Sequence, residues 1–245
     1  MNDFTTQTQP SSLLYDSDAE QRVELLIQYR GLERTVAHRF APLTDELFFQ
    51  FEQRKKTRAR VSGQDLLIVR NEDQELSAAE WLWNELALGR DGYVPRDDWR
   101  ERTNVLDKAQ AIRDGLLAVF AVRATPASEA AEVEPVDDDL GTEIALDCLF
   151  NSTALTVRHA FRAPSAADVK EYDRLMRIAD NLIARGGRRP DSAQLVIPSK
   201  ARELAALYDR LAVGAEGYAG RVPAHHKREA VLELFSREAR VTEKK

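Results

Sequence analysis

"WNELALGRDGY" at residues 83–93 and "YDRLAVGAEGY" at residues 208–218 are nearly one phrase written twice. Trp83 meets Tyr208, Leu86 meets Leu211, Ala87 meets Ala212 and Leu88 meets Val213. Gly89/Gly214, Gly92/Gly217 and Tyr93/Tyr218 are identities at the same offset of 125 positions. A recurrence at fixed offset is the mark of an internal repeat. The phrase reads as the end of a helix, with the glycine free to adopt positive φ at a C-cap and the tyrosine ring folding back on the helix.

Upstream, "RVELLIQYRGLERTVAHRF" (22–40) aligns without gaps on "EIALDCLFNSTALTVRHAF" (143–161) at an offset of 121. Val23/Ile144, Leu25/Leu146, Ile27/Cys148 and Tyr29/Phe150 alternate with more polar or smaller residues. Val36/Val157, His38/His159 and Phe40/Phe161 do the same. Period two is the pattern of a half-buried strand, so each run predicts a β-hairpin turning at "RGLER" or "NSTAL". Thr44 and Ser165 then offer N-caps, each with a proline just upstream (Pro42, Pro164). They predict a first helix carrying Phe48 and Phe51 in one segment and Val169 and Tyr172 in the other.

The first helices run into basic segments, "RKKTRAR" (54–60) and "RGGRRP" (185–190), followed by short strands at "LLIV" (66–69) and "LVI" (195–197). A second helix from about Ser77 or Ser199 reaches the repeated phrase, and a third follows Pro95 or Pro223. The expected fold is α+β, a tandem duplication of a β-hairpin followed by three helices. Its parts are a flexible N-terminal arm (1–18), a first module (19–122), an acidic Pro/Ala-rich linker (123–141) and a second module (142–240). The linker composition predicts early proteolysis that releases two folded halves.

The chain has 245 residues, is 43% hydrophobic and 31% charged, and carries a net charge of −6. No apolar run approaches the ~18 residues of a spanning helix, so no membrane partner is expected. The N-terminus lacks a basic then apolar leader, which places the expected location in the cytoplasm. The single cysteine, Cys148, allows no intrachain disulfide framework. The acidic balance argues against a general nucleic-acid binder.

Candidate sites follow from the repeat. His38 and His159 occupy matching strand positions. As ligands or proton carriers they would need acidic or cysteine partners at matching positions, and none recurs. They are read as structural, each facing the first helix and bonded to a backbone carbonyl, together with Gly92, Tyr93, Gly217 and Tyr218. His225 and His226 beside Lys227 fall opposite Arg96–Trp99 and read as a solvated first turn. Trp83 reads as core. The recurring cations Arg54, Lys55, Lys56 and Arg58, and Arg185, Arg188 and Arg189, are either helix-end charges or contacts to an acidic partner. No metal-ligand spacing, phosphate loop or nucleophile motif occurs, so neither cofactor, metal nor catalysis is expected.

"VRHAFRAPSAADVKEYDRL" (157–175) resembles proteins of tailed-phage morphogenesis clusters, of the tail assembly chaperone and small tail-accessory type. Those carry a strand ending in a His or aromatic-Phe-Arg-x-Pro-Ser/Thr step before an acidic-aromatic helix. "GYAGRVPAHHKREAVLEL" (217–234) extends the likeness. The first segment departs from it, since "HRFAPLTDELFFQF" has no arginine after Phe40. The resemblance implies a non-enzymatic structural or assembly protein of a phage tail or tail-like particle. Its partners would be proteins of tail-tube or tape-measure type, with oligomerisation open. The alternative is a cytoplasmic regulatory or nucleic-acid-linked binding module that uses the two basic segments.

Overall fold

Alternating apolar and polar residues give the chain two antiparallel hairpins, and helices cover one face of each. The computed structural model describes residues 13–55, 58–62, 65–69, 72–122, 141–176, 194–196 and 199–242; for 58–62, 65–69, 194–196 and 237–242 the description is of the backbone. The fold is α+β.

In the first unit β1 (Gln21–Tyr29) pairs with β2 (Leu32–Phe40) so that Val23 lies opposite His38. In the second unit β7 (Glu143–Phe150) pairs with β8 (Thr153–Phe161) and Ile144 lies opposite His159. Both hairpins turn through two left-handed residues, Arg30 (φ 52°) with Gly31 (φ 75°) and Asn151 (φ 50°) with Ser152 (φ 60°). Such turns match the twist of the flanking strands. Val23, Leu25, Ile144 and Leu146 are buried while Arg22, Glu24 and Asp147 face solvent, which is how a one-residue register slip is penalised.

Each hairpin is followed by a capped helix. Thr44 Oγ1 accepts from Leu47 N–H at the start of α1 (Asp45–Arg54). Ser165 and Asp168 form a reciprocal capping box at the start of α5 (Ala166–Met176): Asp168 N–H donates to Ser165 Oγ and Ser165 N–H donates to Asp168 Oδ2. The apolar runs at 66–69 and 195–197 overlap β4 (Asp65–Val69) and β9 (Gln194–Val196), which flank β3 (Arg58–Ser62) in a third sheet of order β4-β3-β9.

Five expectations are corrected. The repeated phrase is not a helix C-cap. Helices α2 (Glu72–Leu86) and α6 (Ala201–Leu211) stop at matching leucines. The chain then turns straight into strands β5 (Ala87–Asp91) and β10 (Ala212–Glu216), which add to β2 and β8. Gly92 (φ 81°) and Gly217 (φ 90°) follow those strands. A Cβ at Gly92 would meet Thr35 O at 3.0 Å and one at Gly217 would meet Val157 Cγ1 at 3.1 Å, so conformation and space both favour glycine there. Helix α2 also starts about a turn and a half before Ser77, where Glu72, Asp73 and Glu75 favour the positive end of the helix.

The third helix differs between the units. In the first it is broken into α3 (Trp99–Arg102), α4 (Val105–Gln110) and a π turn (Ala111–Leu116). In the second it is one long helix, α7 (Ala224–Thr242). Gly115 allows the π turn to lie on β1: a Cβ there would come within 2.2 Å of Val23 Cγ1. The chain leaving the π turn forms β6 (Val119–Ala121), which extends the second sheet to the order β10-β8-β7-β6.

The supposed arm is docked where it is described. Tyr15 is 1% exposed and bridges in parallel to Tyr218. Its N–H donates to Gly217 O (2.8 Å) and its carbonyl accepts from Ala219 N–H (2.9 Å).

The units are also not separate bodies. Asp45 Oδ1, in the first turn of α1, accepts from Ala224 N–H (3.0 Å) at the start of α7 and from Arg221 Nη1 (2.6 Å). The second hairpin turn covers the outer edge of β1: Asn151 Oδ1 accepts from Arg22 N–H (2.7 Å) and Ser152 Oγ from Glu24 N–H (2.7 Å). Strand β9 pairs with β3. The linker itself lies outside the described residues except for Gly141. With an engineered protease site placed between residues 123 and 140, the cut halves are expected to co-elute on size exclusion at the mass of the intact chain. Elution as two independent folded fragments would contradict this interface.

Candidate functional site

The matching histidines sit where the second strand of each hairpin, the second helix and the Gly-Tyr bend converge. His38 and His159 are both 0% exposed. Indole N–H can only donate, so Trp83 Nε1 donating to His38 Nδ1 (2.9 Å) fixes that nitrogen as the acceptor of a neutral ring. The proton is then on Nε2, which donates to Tyr93 Oη (3.1 Å), and the Tyr93 hydroxyl donates to Asp107 Oδ2 (3.3 Å). The result is a one-way chain of hydrogen bonds from indole to carboxylate.

The second unit builds the same chain with other side chains. Tyr208 Oη contacts His159 Nδ1 at 2.8 Å, His159 Nε2 contacts Tyr218 Oη at 3.1 Å, and Tyr218 Oη contacts His226 Nδ1 at 2.7 Å. Tyrosine 208 thus takes the role of Trp83, and His226 the role of Asp107. A lysine lies over each donor ring. Lys108 Nζ is 4.9 Å from the Trp83 ring centroid and bonds Glu80 (3.0 Å) and Asn84 (3.3 Å). Lys227 Nζ is 5.7 Å from the Tyr208 ring centroid and bonds Asp209 (2.6 Å). Cation–π contact and a charge-assisted hydrogen bond hold both ammonium groups in place.

Burial makes these rings poor bases. Desolvation, helped by the Arg90 charge, pushes His38 down to about 4, and desolvation pushes His159 down to about 4. Burial also pushes the phenols of Tyr93, Tyr208 and Tyr218 upward, assisted by the Asp107 carboxylate at Tyr93, by Asp209 at Tyr208 and by the ionisable groups of Cys148, Tyr208 and Tyr15 around Tyr218. With both nitrogens of each strand histidine engaged, neither ring presents a free basic site at neutral pH. Cys148 is buried, and burial pushes its thiol up to about 12. Among the described residues no cluster of three His, Cys, Asp or Glu side chains is placed to hold a metal, and no helix is long and apolar enough to cross a membrane.

The structural reading of His38 and His159 needs correction in its partners. They bond aromatic side chains rather than a backbone carbonyl, and they face the second helix and the Gly-Tyr bend. Phe48 instead packs on His225, with ring centroids 5.8 Å apart. His225 and His226 are not a solvated turn: they are 4% and 0% exposed. The N-terminus of α7 is wedged between the units, and the Tyr15 ring lies 4.6 Å from that of His226. His225 borders a cavity of about 220 Å³ at this junction.

The basic segments are only partly described. Arg54 stacks over Trp81 at 4.1 Å and Lys55 pairs with Glu52 at 2.9 Å, so both are engaged within the protein. Arg58 lies in β3, described by its backbone; Lys56, Arg185, Arg188 and Arg189 lie outside the described residues.

Sequence reasoning missed Asp107, Lys108 and the inward role of His226 and Lys227. Asp107-Lys108 matches His226-Lys227 at an offset of 119, not the 125 of the preceding helix and strand. The loops after Tyr93 and Tyr218 differ in length by six residues, and aligning on Pro95 and Pro223 conceals the match. A search for the recurring lysine with its own shift would have found it. The chain matches no protein-family model, no curated protein and no solved structure.

Proposed function

We propose that this chain is a non-enzymatic assembly protein that acts through protein–protein contacts, and that its two units are copies of one module. The observation that carries the reading is how recurring residues divide between inside and outside. The recurring polar side chains are bonded to one another in the interior. The recurring apolar pair Leu88 and Val213, 45% and 70% exposed, stands on β5 and β10, each the edge strand of its sheet. An edge strand with exposed apolar side chains is a template for pairing with another chain. The likeness of residues 157–234 to tail assembly chaperones and tail-accessory proteins supports a phage tail, or a tail-like particle, as the setting.

The test begins with the neighbouring genes. Any tube or tape-measure protein found encoded there is co-expressed with this one, and complex formation is followed by sedimentation velocity. A complex weakened at least tenfold by Leu88→Glu with Val213→Glu is expected. If neither protein binds, while the chain binds polynucleotide in a salt-sensitive way that charge reversal at Arg54, Lys55 and Lys56 removes, the basic-segment alternative replaces this reading.

A further inference from the structure

The second unit contains a filled slot whose counterpart in the first unit is open. Tyr15 crosses the Gly217-Tyr218 bend as a short parallel strand, held by the two backbone bonds to Gly217 O and Ala219 N. Its ring packs at tilted and edge-on angles among Phe150 (5.3 Å), His226 (4.6 Å) and Tyr218 (5.9 Å). By the offsets already established, the same positions in the first unit are Gly92, Val94, Tyr29, Asp107 and Tyr93.

These five residues border one groove of about 680 Å³. The carbonyl of Gly92 and the N–H of Val94 have no hydrogen-bond partner among the described residues. Tyr29 is 56% exposed where Phe150 is 6%, and Val94 is 68% exposed. The first unit therefore presents the backbone pair and the ring-lined wall that hold Tyr15 in the second.

Charge indicates what enters. The groove is bordered by Arg34, Arg90, Arg96 and Arg102 against a single carboxylate, Asp107. The strap in the filled slot is acidic, Leu14-Tyr15-Asp16-Ser17-Asp18, and Asp18 pairs with Arg221 at 3.1 Å. The strap cannot fill both slots, because it leaves the second unit and continues directly into β1 at Gln21. A second copy has its own strap engaged in the same way.

We propose that the groove between the first hairpin and Tyr93 is a docking site for an extended, tyrosine-bearing acidic segment of a partner protein, held as the second unit holds Tyr15. This rests on the protein-binding reading but on no particular particle or partner.

The probe is a fluorescent nonapeptide, Ser-Leu-Leu-Tyr-Asp-Ser-Asp-Ala-Glu, the sequence of residues 12–20, added to the full-length protein and followed by anisotropy. Saturable binding is expected, weakened at least tenfold when the peptide tyrosine is alanine. Val94→Pro, which removes the backbone donor at an exposed position, and Arg34→Glu, which reverses a rim charge, should each weaken it at least fivefold at unchanged melting temperature. No saturable binding would overturn the proposal, as would equal binding of the alanine peptide. Binding that ignores both groove variants but disappears in Ala219→Pro would assign the peptide to exchange at the second slot, and overturns it too. Self-association of the protein that Val94→Pro abolishes would give the groove to a second copy instead. Failure here with the tube or tape-measure complex intact would leave the assembly role standing and remove only this groove from it.

Discussion

Between pH 7 and pH 5 the protein is expected to lose most of its stability, because its four histidines are all buried in the fold. Burial and, for His38, the Arg90 charge push that ring down to about 4; burial pushes His159 down to about 4. Burial pushes His225 down to about 3, with Asp45 opposing and Arg228 and Arg221 assisting. His226 is lowered by burial and by the adjacent His225 and His159. In the unfolded chain each ring titrates near its ordinary 6.5.

The sign follows from proton counting. Below pH 6.5 the unfolded state binds protons that the folded state refuses, so stability falls as pH falls, starting at the unfolded value and continuing to the folded one. Midway through that window each histidine contributes about 1.4 kcal/mol per pH unit, and four acting together contribute about 5 kcal/mol per unit. A domain stable by about 5–15 kcal/mol reaches its midpoint within one to three such units. Glu229 has the opposite sign: burial raises its carboxyl, so it favours the folded state in acid, but it is one group against four. Asp168, held down to about 2 by Arg162 and Ser165, takes effect below the histidine window. Urea unfolding at pH 7.5, 6.5, 5.5 and 5.0 measures the slope. A flat unfolding free energy across that range would mean the rings accept protons in the folded state, and the neutral hydrogen-bond chains would be wrong.

Much of the fold is written in local pattern. Period-two alternation marks both hairpins and fixes which residues face inward. Thr44 and Ser165 mark the first helices because a cap is a property of a few adjacent residues. What local pattern misses depends on distant partners. "ALGRD" and "AVGAE" have little strand character, and they are strands because β2 and β8 offer open edges beside them. Residues 13–18 look like a polar arm because one tyrosine does the anchoring, and its slot is assembled from residues more than a hundred positions away. The site was half legible. The recurrence singles out His38, His159, Tyr93 and Tyr218, while Trp83 and Tyr208 recur as core aromatics. The ends of the two chains, Asp107 and His226, differ in kind and in offset, so neither identity nor register points to them.

Trp83→Ala is expected to be the most damaging single substitution in the first unit, lowering stability by about 4–6 kcal/mol. Trp83 is 0% exposed, packs edge-on against Trp99 with centroids 5.5 Å apart, and supports Lys108. Truncating a buried tryptophan to alanine costs about 3–5 kcal/mol through lost transfer energy and the cavity left behind. It also strips His38 Nδ1 of its donor at 2.9 Å, and a buried acceptor without a partner costs about 1–3 kcal/mol more, part of which an entering water would offset. In a chain of this size that total lowers the melting temperature by roughly 10–20 °C. Trp83→Phe keeps most of the ring and loses the donor, so it should fall between wild type and alanine. Trp83→Tyr is the informative variant, because the second unit already uses tyrosine there: the Tyr208 hydroxyl reaches His159 Nδ1 at 2.8 Å. If the two hydrogen-bond chains follow one plan, Trp83→Tyr restores the donor and costs less than Trp83→Phe despite its similar loss of volume. Melting curves of the three variants at pH 7.5 decide it. A tyrosine variant no better than phenylalanine would show that the donor to His38 contributes nothing, leaving the packing of the indole ring as the whole effect.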